Sequence, residues 1–256
     1  MLSRRIIPCL DVKNGHVVKG VRFREHQIVG EILDLALTYQ NQGADELVFY
    51  EISASARMAT LELDWVHRLA EVLSIPFCVA GGIRSVESAR AVLNAGADKI
   101  SVNSPALERP ALISELAAEF GSQAVVVGVD SRREQDGNYR VFLYSGDETK
   151  TKSAAIPTHE WLQEVQARGA GEVVLNCMDY DGTGQGYDLL QLAQARKILS
   201  IPLIASGGAR SEQHFLDAFE QADVDATLAA GVFHRGELSI ANLKRSLARA
   251  NVPVRL

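Results

Sequence analysis

Val79-Ala80-Gly81-Gly82-Ile83-Arg84-Ser85 returns later in the chain as Ala205-Ser206-Gly207-Gly208-Ala209-Arg210-Ser211, at an offset of 126 residues (207 less 81). Each copy passes from an apolar, strand-like run through a glycine pair to a serine suited to cap a helix. Gly43-Ala44-Asp45-Glu46 and Gly169-Ala170-Gly171-Glu172 keep the same offset. Asp11 and Asp130, each directly after an apolar run, stand 119 apart (130 less 11), which fits a different loop length in each half. Repetition of half a chain predicts two like units that complete a shared core.

Outward from these copies the pattern is regular. Strand-like runs are expected at 6–10, 47–50, 77–79, 100–102, 124–129, 173–175, 203–205 and 226–229. Helix-period segments lie at 32–42, 61–73, 86–95, 111–120, 161–168, 189–198, 212–219 and 240–248. Such alternation predicts a parallel sheet with crossover helices, and eight repeats predict an α/β fold of the (β/α)₈ TIM-barrel type, built from two similar half-barrels. No linker or low-complexity run interrupts it, so residues 1–256 are expected to form a single domain. The longest loop, 131–157, carries Asp136-Gly137 between Arg132-Arg133 and the run 139–144, which predicts a hairpin excursion at the barrel mouth.

Composition narrows the function classes. With 256 residues, 47% hydrophobic and 23% charged, the chain has enough apolar material for one soluble barrel. A net charge of −6 without a basic block argues against nucleic acid as a partner. The apolar stretch after Arg5 is soon interrupted by Asp11, too short for a signal peptide or a membrane span, so a cytoplasmic address and no membrane partner are expected. Cys9, Cys78 and Cys177 form no C-x-x-C pair and read as buried thiols in a reducing compartment. The six histidines lack metal-ligand spacing, so no metal is expected, and nothing calls for a cofactor. His234, near the last strand, reads as a packing or capping residue.

Catalytic groups of such barrels sit at the C-terminal ends of strands. The period of two puts Arg5, Ile7, Cys9 and Asp11 on one face of the first strand, and Val126, Gly128 and Asp130 on one face of the fifth. Two carboxylates facing each other across a mouth can divide acid and base work when their surroundings differ. The plain alternative is that each satisfies turn backbone. The glycine pairs, with the small residues Asn103-Ser104 and Ala230-Gly231 beside them, suit two phosphate cradles at opposite sides of the mouth, hence a substrate phosphorylated at both ends. Tight βα turns are the rival explanation. At the other end, Arg5, Glu46, Lys99 and Glu172 each open a strand in its inward phase, and by themselves they read as a salt-bridge lid over the core.

Arg5 to Gly15 and Val17-Val18-Lys19-Gly20 resemble the opening of the cyclase subunit of imidazole glycerol phosphate synthase. The likeness continues through 45–49, 79–83, 96–104, 121–127, Asp181-Gly182-Thr183 and 205–209, and so spans the chain. It implies a heterodimer with a glutaminase that releases ammonia, which enters at the barrel bottom and meets a bis-phosphorylated aminoimidazole-carboxamide ribulotide at the top. Imidazole glycerol phosphate and the carboxamide ribotide result. On that resemblance Asp11 and Asp130 are the acid and base, and Lys19 lies near the substrate. Gly82, Asn103 and Ser104 hold one phosphate, and Gly182, Gly208, Ala230 and Gly231 the other. The four charged residues become an ammonia gate, and Asp98 a partner contact. A sheltered path makes physical sense, since free ammonia in neutral water is mostly protonated and unreactive.

Three positions depart from the family's pattern: Glu51 stands where Asp is usual, Arg210 where glycine is usual, and Gly231 where serine is usual. Two other functions remain in view, the sister isomerase of the same pathway and a non-catalytic barrel that only activates the glutaminase. The run Cys9-Leu10-Asp11-Val12-Lys13 and the charged ring favour the cyclase.

Overall fold

The computed structural model describes residues 2–13, 16–21, 24–52, 63–146 and 149–256. Its strands are β1 (Arg5–Lys13), β2 (His16–Val21), β3 (Arg24–Glu31), β4 (Leu47–Glu51), β5 (Phe77–Ala80), β6 (Lys99–Val102), β7 (Val125–Arg133), β8 (Tyr139–Leu143), β9 (Lys152–Pro157), β10 (Glu172–Cys177), β11 (Leu203–Ser206) and β12 (Ala226–Ala229). Eight of them run parallel in the order β1, β4, β5, β6, β7, β10, β11, β12, and β12 pairs back onto β1, so the sheet closes. This is the (β/α)₈ barrel expected from the alternation.

The described helices are α1 (Ile32–Asn41), α2 (Asp64–Val72), α3 (Val86–Asn94), α4 (Ser104–Glu108), α5 (Ala111–Phe120), α6 (Thr158–Ala167), α7 (Leu189–Ile198), α8 (Glu212–Gln221), α9 (Gly231–His234) and α10 (Ile240–Arg249). Among the described residues no helix is long and apolar enough to cross a membrane. Strand alternation divides the core in two. Ile6, Leu10, Phe49 and Val79 point outward and pack with Trp65, Leu69 and their neighbours on the helices. Ile7, Cys9, Val48, Cys78, Val126, Val174, Ile204 and Leu228 fill the barrel itself. Each fully buried aliphatic side chain contributes about 1.5–3 kcal/mol.

One repeated device sets neighbouring strands at the barrel bottom. The carboxylates of Asp45, Asp98 and Asp225 each accept, at 2.9 Å, the backbone N–H of an adjacent strand, from Ile6, Phe77 and Leu203 respectively. The corresponding Gly171 has no room for a side chain, because a Cβ there would collide with the backbone carbonyl of Ser122.

Two antiparallel excursions leave the mouth at related places. β2 folds back on β1 with Asp11 opposite Val18, and β8 folds back on β7 with Asp130 opposite Phe142. The second is the expected hairpin of 131–157. The first was not apparent as a hairpin in the sequence, and it forms because β1 continues to Lys13 beyond Pro8, its last partner on β12, and β2 takes up that edge. Likewise Asn103-Ser104 and Ala230-Gly231, outside every helix expected from the sequence, begin the short helices α4 and α9.

Candidate active site

Asp11 and Asp130 occupy the same rim, each at the C-terminal end of its barrel stretch and each level with an antiparallel hairpin partner. Asp11 is half-buried, with Tyr50 its parallel neighbour on β4. Asp130 is buried and closely surrounded by donors. The Asn103 amide reaches its Oδ2 at 2.6 Å, the Ser145 hydroxyl donates to the same oxygen, and the Asn176 amide reaches Oδ1 at 2.8 Å. The Asn176 Oδ1 in turn accepts from Ser206 at 3.3 Å. Donors on both oxygens hold the carboxylate in one orientation.

Tyr50 neighbours Asp11 across the sheet and lies within electrostatic reach of both aspartates. Burial first, then the Cys9 and Cys78 thiols and the charges of Asp130 and Asp11, push its phenol well above the usual tyrosine range. Its hydroxyl therefore stays protonated through neutral pH. Tyr50, Asn176, Ser145 and Ser206 were missed in the sequence. Asn176 shares the inward phase of Glu172 and Val174, and Tyr50 that of Glu46 and Val48, so period-two counting does find both. Ser145 had no local signal, because the turn after β8 folds it back over Asp130 from 15 residues onward.

The glycine pairs flank this centre. Gly81 and Gly82 have φ of 93° and 71°, Gly207 and Gly208 of 99° each, values that side chains rarely tolerate. Close approach reinforces the requirement. A Cβ at Gly81 would collide with the Glu51 carbonyl, and one at Gly208 with the Gly186 carbonyl. Gly186 donates its N–H to the Gly208 carbonyl at 2.9 Å, which ties the loop containing Gly182 to the second pair. Open space surrounds Gly182. Asn103 and Ala230 precede α4 and α9, Gly231 begins α9, and the Ser104 hydroxyl accepts from the Tyr144 N–H at 2.9 Å. The backbone of Lys19 pairs with Gln27 in the first hairpin, but its side chain lies outside the described residues. Of the departures, Glu51 is buried at the end of β4, and Arg210 lies on the surface beside Glu237.

At the opposite rim the four charged strand openers meet. The Arg5 guanidinium is 2.7 Å from Glu46 Oε2 and 3.1 Å from Glu172 Oε1, and the Lys99 ammonium is 2.8 and 3.1 Å from the same two oxygens. Each cation thus touches both carboxylates. Burial alone lowers the pKa of Arg5, but Glu172 and Glu46 outweigh it and hold the group above its ordinary value. Asp98, beside Lys99, is exposed on the same rim while one of its oxygens holds the Phe77 N–H. Among the described residues no group of three or more histidine, cysteine or acidic side chains is arranged to hold a metal ion.

A closed eightfold barrel of two like halves, with its polar strand ends gathered at one mouth, places the chain among (β/α)₈-barrel enzymes. Residues 5–239 match the family described as histidine biosynthesis protein. The chain is 60% identical over 255 residues to the imidazole glycerol phosphate synthase subunit HisF of Stenotrophomonas maltophilia (strain K279a), covering 100% of this chain and 99% of that relative. The protein of the same name from Xanthomonas campestris pv. campestris (strain 8004) gives the same identity and coverage. The chain belongs to the histidine biosynthesis protein family and, within it, groups with the HisF subunits of imidazole glycerol phosphate synthase.

Proposed function

We infer that this chain is the cyclase subunit of imidazole glycerol phosphate synthase, a lyase of histidine biosynthesis working as one domain. It uses ammonia to convert the bis-phosphorylated aminoimidazole-carboxamide ribulotide into imidazole glycerol phosphate and the carboxamide ribotide. The observation that carries the reading is that Arg5 and Asp11 share one face of β1, so a charged ring and an acidic mouth terminate the same barrel interior. Full-length kinship to subunits of that synthase supports the cyclase over the sister isomerase.

In this reading a partner subunit, a glutaminase, docks on the rim that carries Asp98 and releases ammonia at the ring of Arg5, Glu46, Lys99 and Glu172. The barrel filling of Ile7, Cys9, Val48, Cys78 and Val126 is apolar, which favours neutral ammonia over ammonium and preserves its nucleophilic lone pair. At the mouth, Gly82, Asn103 and Ser104 hold one phosphate, and Gly182, Gly208, Ala230 and Gly231 the other, with Lys19 near the substrate. Asp11 and Asp130 move the protons that ammonia addition and ring closure require, Asp130 in an orientation held by its amide and hydroxyl donors.

The test is turnover of the ribulotide by the purified chain with an ammonium salt and no partner. Product formation that rises with the fraction of free ammonia supports the reading. No turnover, with activation of a glutaminase retained, would leave a scaffold and overturn it.

A further inference from the structure

The two halves match at the mouth in more than their glycines. Arg84 follows Gly81-Gly82 and Arg210 follows Gly207-Gly208, and both side chains are exposed, at 40% and 64%. Each guanidinium stands loosely beside one carboxylate, Arg84 Nη1 at 3.9 Å from Glu108 Oε2 and Arg210 Nε at 3.7 Å from Glu237 Oε2. Glu108 ends α4, the short helix after Asn103, and Glu237 follows α9, the short helix after Ala230. Each arginine therefore reaches from the turn after a glycine pair toward the far end of the short helix that begins beside the same cradle. Arg210 also lies against the loop that contains Gly182, since a Cβ on Gly184 would lie 2.9 Å from its Cδ.

Neither glutamate depends on its arginine. Glu108 accepts from the Tyr144 hydroxyl, and Glu237 from Arg235 Nη2 at 3.0 Å. The backbone donors around each arginine are already engaged. Arg84 and Ser85 N–H both meet Ser88 Oγ at 3.1 Å, while Arg210 and Ser211 N–H meet His214 Nδ1 at 3.1 and 3.4 Å. What these two positions still present to an anion is the guanidinium.

We propose that Arg84 and Arg210 are a matched pair of phosphate clamps, each passing from its glutamate to one terminal phosphate of the substrate. The proposal rests on the bis-phosphorylated substrate of the proposed function. Exposed pairs at such separations are weak and screened by salt. A guanidinium meeting a phosphate dianion makes paired, charge-assisted hydrogen bonds, so the exchange of partner is favourable. Two clamps at opposite sides of the mouth select a ligand with a phosphate at each end over one with a single phosphate.

The experiment compares Arg84→Gln, Arg210→Gln, their double variant, Glu108→Gln and Glu237→Gln in the full chain. It reads ammonium-driven turnover of the ribulotide and, separately, calorimetric binding of inorganic phosphate. Each arginine change is expected to raise KM about tenfold with kcat within about twofold, and the double variant to multiply the effects. Each glutamate change is expected to lower KM, with phosphate affinity following the same order. A purely structural tie moves arginine and glutamate variants in the same direction, and that result overturns the clamps. So does unchanged KM and phosphate affinity in the arginine variants. Arginine-dependent phosphate binding by a wild-type chain that makes no product keeps the clamps and removes the reaction reading instead.

Discussion

Asn176 and Asp130 are direct neighbours across β10 and β7, and the Asn176 amide donates to Asp130 Oδ1 over 2.8 Å. Ser206 holds the other end of that amide, so a short polar chain from β11 to β7 sets where the carboxylate points. Asn176→Ala removes this support without touching the carboxylate. The expected outcome is a fall in kcat of about 10–100-fold with the far-UV spectrum intact, because small misplacements of a reacting group are costly. A kcat within twofold of wild type would show that Asn103 and Ser145 suffice.

Asp11→Asn and Asp130→Asn keep shape and remove the proton-transfer function proposed for each carboxylate. Each is expected to lower ammonium-driven kcat by about 10²–10⁴-fold with a smaller effect on KM. Steady-state kinetics of both variants check this, and full turnover in either one would free that aspartate from the chemistry.

The charged ring makes a stability prediction. Glu46 is buried between Arg5 and Lys99, and Lys99→Met leaves both Glu46 and Glu172 with one cation fewer. Urea denaturation is expected to show a loss of about 1–3 kcal/mol, below the full cost of breaking a buried pair because Arg5 still bridges the two carboxylates. An unchanged midpoint would mean that water replaces the ammonium without penalty.

Gly208→Ala places a methyl group against the Gly186 carbonyl at a φ of 99°. The loop containing Gly182 must then move away. A destabilisation of about 1–3 kcal/mol is expected, together with a raised KM. Thermal unfolding and kinetics measured on the same sample test both parts, and a normal KM would place the phosphate elsewhere.

Alkali should unfold the protein by way of the barrel thiols. Burial, then the Asp11 and Asp181 charges, push Cys9 well above its ordinary value near 9, and burial, then the Glu46 charge, does the same for Cys78. Tyr39 is pushed up to about 12 by burial. A raised folded-state pKa leaves stability intact below the unfolded value and erodes it above, where the unfolded chain binds fewer protons. Stability is therefore expected to hold up to about pH 9 and to decline as pH rises beyond it. Denaturant titrations between pH 7 and 11 measure the slope, which should lessen in Cys9→Ala. A flat profile would mean that the buried thiols ionise freely in the folded state.

Much of the site was visible before any fold was known. Asp11, Asp130 and the four ring residues all obey a period of two counted from their strands, so phase alone placed them at the two ends of the interior. The glycine pairs were visible as copies, and the collisions that demand glycine at 81 and 208 became visible only with the neighbouring loops in place. Ser145 and the two arginine–glutamate pairs lacked any such mark, because their partners lie on other elements.

From its sequence alone, this chain was determined to be an eightfold barrel of two like halves, because side-chain periodicity and turn residues act over a few positions and repeat. Which donors surround Asp130, whether the charged strand openers touch, and where Arg84 and Arg210 rest were decided by tertiary structure. Those depend on barrel closure, which brings β10 beside β7 and a hairpin 15 residues onward over the same carboxylate. Distances of that kind are set by packing across the sheet, and local pattern carries no measure of them.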